Sequence, residues 1–159
     1  TYKALLSAAS PVFATRFKQQ WSSTTAENGR TQLSGYSETA VEPFVRFFYD
    51  PTLPPISCGP EDLIDLFRLA DMYQMPELRS ISVKLLSKSK EVNADVLSSL
   101  VELIHLHSLP SLELMVKRYV RENWQQLAEN ESLKELLKEF QPNRTRTLES
   151  EDGDAKHQK

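Results

Sequence analysis

Proline heads four of the apolar runs in this chain, and that placement restricts the fold more than any other feature. Pro11, Pro60, Pro76 and Pro110 each precede residues whose apolar members recur at three- and four-residue spacing. Proline has no N–H and its φ is held near about −65°, so it suits the first turn of a helix and breaks a strand's ladder. A chain punctuated in this way is expected to fold as short helices joined by tight turns.

The first helix is expected over residues 3–9, burying Leu5, Leu6 and Ala9. Ser10 suits the N-cap of a second that runs to Gln20, with Val12, Phe13 and Phe17 on one face. Residues 22–30 are polar and read as loop, and Thr31-Gln32-Leu33 is the one strand expected, closed by a turn at Ser34-Gly35. Ser37 can cap the next helix, which carries Val41, Phe44, Val45, Phe47, Phe48 and Tyr49. Pro43 allows two starts for it. From Ser37, the proline costs an internal hydrogen bond and kinks the helix; from Glu42, it is harmless. Residues 50–60 hold four prolines and Gly59 and form a loop.

Pro60-Glu61-Asp62 opens the following helix with two acids set against the positive end of its dipole. Its inward stripe is Leu63, Leu66, Phe67, Ala70 and Tyr73, and the helix from Pro76 turns Leu78, Ile81 and Leu85 inward. Asn93 caps a helix bearing Val96, Leu97, Leu100, Val101 and Ile104; Pro110 starts one bearing Leu112, Met115, Val116, Tyr119 and Val120. A last helix over residues 132–140 is expected to bury Leu133, Leu136, Leu137 and Phe140. Residues 141–159 mix both charges around a single large apolar residue, Leu148, and read as a disordered polar tail. The expected fold is mainly α: about eight short helices in antiparallel pairs, with almost no sheet.

Charge and cysteine content exclude several functions. With 19 Lys+Arg against 22 Asp+Glu, the chain lacks the basic footprint of a nucleic-acid binder. Its single cysteine, Cys58, allows neither an internal disulfide nor a multi-cysteine zinc site. No apolar run approaches the roughly 18–20 residues of a membrane helix, and the first residues do not resemble a signal peptide. The location expected is cytoplasm and/or nucleus, with no membrane partner.

Nothing in the sequence assembles a catalytic centre. His105 and His107 are two apart on a helix, hence about 200° apart around its axis, and cannot share one ion. Cys58 has no base near it in sequence and reads as a half-exposed loop thiol. No phosphate-cradling or dinucleotide glycine pattern occurs among four glycines. Lys84, Lys88 and Lys90 form a small basic cluster without interleaved aromatics, so they read as a solvated helix end rather than a strand-stacking platform. Asn143-Arg144-Thr145 matches a glycosylation acceptor, which carries no meaning without a secretory signal. The expectation is a non-enzyme with no cofactor and no metal.

Four segments in order resemble the BTB/POZ domain. Lys3-Ala4-x-Leu6-x-x-x-Ser10-Pro11-Val12-Phe13-x-x-x-Phe17 is similar to its signature helix pair, and Phe47-x-Tyr49 to its aromatic helix end. Ala70-Asp71-x-Tyr73-x-x-x-x-Leu78 resembles its next hairpin. Asn93-Ala94, His107, Leu112 and Tyr119-Val120 resemble the helical extension called the 3-box, found in cullin adaptors. The speckle-type subfamily, which joins a MATH domain to BTB, is the suggested relative. The resemblance implies an α+β BTB/POZ-like fold with a reduced small sheet over residues 1–90, a 3-box-like extension over 91–140 and the tail over 141–159.

It also implies a function: a substrate adaptor that offers its BTB and 3-box face to a cullin-3 scaffold of a RING ubiquitin ligase. The family docks a hydrophobic-x-acidic motif after its Ser-Pro helix onto the cullin. Here the hydrophobic position falls on Trp21, and Ser23 stands where the acid belongs, with Glu27 too far into the loop to replace it. The cullin-facing set implied is Phe17, Gln20, Trp21, Ser23, Tyr73 and Met75. For Trp21, packing beside Phe17 over the core is the competing expectation.

The family begins with a helix and a β-hairpin that precede the position of Tyr2 and form most of its dimer interface. This sequence starts after them, so it is expected to be a fragment of a longer protein or a poor homo- or heterodimer. A substrate reader would lie in a domain outside the chain. The alternative reading is a BTB scaffold that self-associates or recruits a transcriptional corepressor without cullin, which the Ser23 departure favours and the 3-box-like helices oppose.

Overall fold

Each proline singled out above is the first residue of a helix. The computed structural model describes residues 2–22, 33–51, 58–90 and 92–141. Among them, α1 (Tyr2–Ala9) and α2 (Pro11–Ser22) form the opening hairpin, followed by α3 (Glu38–Phe47), α4 (Pro60–Met72) and α5 (Pro76–Leu86). Then come α6 (Ala94–His107), α7 (Pro110–Leu127), α8 (Glu131–Leu136) and a 3₁₀ turn (Lys138–Phe140). The fold is mainly α, as the periodicity predicts. The described residues contain no strand: Leu33 is irregular, while Thr31 and Gln32 lie outside them.

Helix starts follow capping chemistry. Ser37 and Asn93 sit in extended backbone, and their side chains accept from the N–H of Ala40 at 3.2 Å and of Val96 at 2.8 Å. Asn130 does the same for Ser132 and Leu133. At α4 the first turn reaches back, the Asp62 carboxylate accepting from the Gly59 N–H at 3.3 Å. Gly35, at φ +92°, occupies the left-handed position of the expected turn before α3.

Pro43 follows the first of the two expected starts, with Ser37 as the cap. The helix begins at Glu38, so Pro43 lies inside it and has no N–H for the Thr39 carbonyl. Cys58 supplies a substitute donor, its Sγ standing 3.2 Å from that oxygen. Burial, then the charges of Asp62 and Glu42, push the thiol's pKa up, which keeps the S–H in place to donate.

The helices pack as pairs, α1 on α2, α3 on α4, α4 on α5 and α6 on α7. Further contacts of α4 with α6 and of α5 with α7 join the pairs into one apolar core that runs from Phe13 to Phe140. Rings fill its first part: Phe13 stacks on Tyr73 at 4.5 Å, and Phe44 meets Phe48 edge-on at 5.3 Å. Two expected core residues are corrected. Leu5 is 39% and Leu136 36% exposed, because the flanking Leu6, Ala9, Leu133 and Leu137 already fill the inward faces of these short helices. The predicted stripes of α4, α6 and α7 are otherwise inside, with Tyr119 half-buried.

Candidate partner-binding face

The expected partner-facing residues divide between α2 and the turn after α4. Phe17 is half-buried, stacked on Phe13 at 5.8 Å, with the Lys3 ammonium 5.6 Å from its ring centre. Gln20 and Trp21 lie on the last turn of α2, which extends beyond its expected end, and Ser23 is outside the described residues.

Tyr73 and Met75 are corrected: they are 4% and 2% exposed and belong to the core. The cause is the shape of the turn. Met75 N–H donates to the Ala70 carbonyl at 2.8 Å and Gln74 N–H to that of Asp71 at 3.0 Å, which closes α4 with a Schellman motif. Gln74, at φ 52°, takes the left-handed position usually given to glycine. That reversal folds Met75 back onto the core and leaves Gln74 outside. Tyr73 keeps a neutral phenol, since burial raises its pKa against the opposing pull of the Arg16 charge and hydrogen bond.

The turn is fastened to α2 from below. Ser10, fully buried, donates from Oγ to the Tyr73 carbonyl at 2.5 Å and accepts from the Phe13 N–H at 3.4 Å. Above this joint, Pro11, Val12, Thr15 and Arg16 of α2 and Gln74 line an open groove of about 440 Å³. Sequence reasoning missed Thr15, Arg16 and Gln74 as surface candidates. A helical wheel of α2 with Phe13 and Phe17 set inward places Arg16 away from them; Gln74 carries no local signal, because its exposure follows from the turn.

A second seam joins α6 to α4. Arg68 meets Glu102 at 3.3 Å, and the Asn93 side chain donates to Glu61 at 3.2 Å. His107 lies edge-on to Phe67 at 5.1 Å and 3.9 Å from Asp71, which pairs with Arg79 at 3.0 Å. His105 contacts Glu139 instead, so the two histidines serve different neighbours. Val92 is tied to α7, the Tyr119 hydroxyl donating to its carbonyl at 2.8 Å. Among the described residues no three His, Cys, Asp or Glu groups converge as a metal site, and no helix is long and apolar enough to cross a membrane. The lysines at 84, 88 and 90 are exposed at and beyond the end of α5.

What the geometry offers is a firmly supported surface made of α2 and one turn. No curated protein and no solved structure matches the chain. The sequence model of the BTB/POZ domain matches residues 1–90, more than half of the 159. BTB/POZ domains are modules of protein–protein interaction and self-association, and this chain belongs to their family.

Proposed function

We propose that the chain is a substrate-adaptor module of a cullin-3 RING ubiquitin ligase, docking on the cullin through α2, the turn after α4 and the helices after residue 90. The observation that carries this reading is the packing of α6 and α7 on α4 and α5, with Arg68–Glu102 and Asn93–Glu61 across the seam. A face built from both segments is thereby held in one arrangement, and a preorganised surface lowers the cost of binding.

In this reading Trp21 is the anchor, Phe17 and Gln20 belong to the same contact set, and Ser23 stands at the sequence position of the family's acid. Tyr73 and Met75 act from beneath by holding the turn at Gln74. The substrate is held by a domain outside the chain, a second BTB chain supplies the dimer, and the setting is cytoplasm and/or nucleus. The resemblance of the later helices to a 3-box and of the whole to the speckle-type adaptors supports the same reading.

Titration calorimetry against a cullin-3 N-terminal domain tests it. Low- to sub-micromolar binding is expected, with Trp21→Ala weakening it about 30-fold or more, the effect of removing an aromatic hot spot. Absence of binding by the folded protein overturns the reading. Ser23 in place of an acid favours one alternative, a BTB scaffold that self-associates or recruits a corepressor. A pull-down that retains corepressor and no cullin would establish it.

A further inference from the structure

The first 22 residues carry Lys3, Arg16 and Lys18 and no acid, although the whole chain has net charge −3. The rest of the chain therefore carries −6, and the first acid in sequence is Glu27. Of these cations, Arg16 faces the groove between α2 and Gln74, while Lys3 lies over the Phe17 ring. Arg16 is exposed in that groove. A guanidinium has five N–H donors in a planar fork that matches a carboxylate. Pro11 and Val12 add apolar surface next to it.

We propose that this groove receives an acidic segment of a partner protein, with a carboxylate on Arg16 and a neighbouring apolar side chain against Pro11 and Val12. The inference rests on the partner-face reading and specifies its chemistry: the resemblance implies an acid supplied by the domain, whereas this face supplies the cation. Charge complementarity selects the occupant. A carboxylate gains a bidentate, charge-assisted contact there, while a basic segment meets the like charge of Arg16. A nucleic acid suits the groove less well, since its aromatic neighbours Phe13 and Tyr73 are buried and offer no stacking platform.

The test uses the full chain and fluorescence anisotropy, without any cullin, so its failure and that of the adaptor reading are separable. The probes are a short peptide of alternating glutamate and leucine, its twin with lysine for glutamate, and a short oligothymidylate. The glutamate peptide is expected to bind at least about tenfold more tightly than its twin, and Arg16→Glu to remove about tenfold or more of that affinity. Thr15→Glu, an exposed change on α2, is expected to act in the same direction with unaltered helical circular dichroism, which separates binding from folding. Equal binding of the two peptides, no effect of either variant in folded protein, or tighter binding of the oligothymidylate overturns the proposal. So does a tenfold gain in peptide affinity on neutralising Glu149, Glu151, Asp152 and Asp154, which would make the chain's own acidic stretch the occupant.

Discussion

Ser10 and Tyr73, 63 positions apart, are joined by a 2.5 Å hydrogen bond from the serine Oγ to the tyrosine carbonyl. The same Oγ caps α2 through the Phe13 N–H, so one buried hydroxyl fixes both the start of α2 and the end of α4. Ser10→Ala removes a cap, worth about 0.5–2 kcal/mol, and leaves a carbonyl without its donor, at about 1–3 kcal/mol. A loss of about 2–3 kcal/mol in urea denaturation is expected. A loss below about 0.5 kcal/mol would show that the joint does not hold the two helices together.

Cys58 and Pro43 are coupled through the Thr39 carbonyl, and a double-mutant cycle measures that coupling. In the parent chain, Cys58→Ala removes the thiol donor that stands in for the missing proline N–H and is expected to cost up to about 1 kcal/mol, since the site is partly open to water. Pro43→Ala restores a backbone N–H at the position that serves Thr39. In that background Cys58→Ala is expected to cost nothing measurable. Equal effects in both backgrounds would mean the thiol does not compensate for the proline.

Pro11, Pro60, Pro76 and Pro110 were legible because their meaning is local: a missing N–H is harmless only at a helix start. The inward stripes of α4, α6 and α7 were legible because those helices are long enough for a period to declare itself. Tyr73 is buried as its place on the α4 stripe predicts, whereas the burial of Met75 depends on a left-handed Gln74, a turn that no spacing encodes. The internal position of Pro43 was open for a similar reason, its compensation coming from a thiol 15 residues away. Leu5 and Leu136 show the limit of periodicity in short helices, where fewer apolar positions are needed than the sequence provides.

Asp62 links the starts of α3 and α4. Its Oδ1 accepts from Ser37 at 2.7 Å and Thr39 at 2.5 Å, and its Oδ2 from the Gly59 N–H. Burial raises its pKa, but the three hydrogen bonds to the charged form outweigh that and hold it below the ordinary 3.8. A carboxyl lowered by folding stabilises the native state fully above its unfolded pKa and loses that contribution as pH falls through the folded value. Stability is therefore expected to decline below about pH 4, and Asp62→Asn to flatten that decline while costing about 1 kcal/mol at neutral pH. An unchanged acid limb in Asp62→Asn would assign the decline to other carboxyls.

Leu97 tests whether the helices after residue 90 fold with those before it. It is fully buried on α6, the helix that packs on α4, and Trp124 of α7 lies against the same core. Leu97→Ala should cost about 2–5 kcal/mol through lost transfer energy and the cavity left behind. The informative measurement is where that loss registers. With Trp21→Phe, fluorescence reports Trp124; with Trp124→Phe, it reports Trp21 on α2. If the core is one cooperative unit, both midpoints coincide in urea and Leu97→Ala moves them together. Separate transitions, with only the Trp124 signal displaced, would mean that the α4–α6 seam does not couple the two segments, and a face shared between them would lose its rigidity.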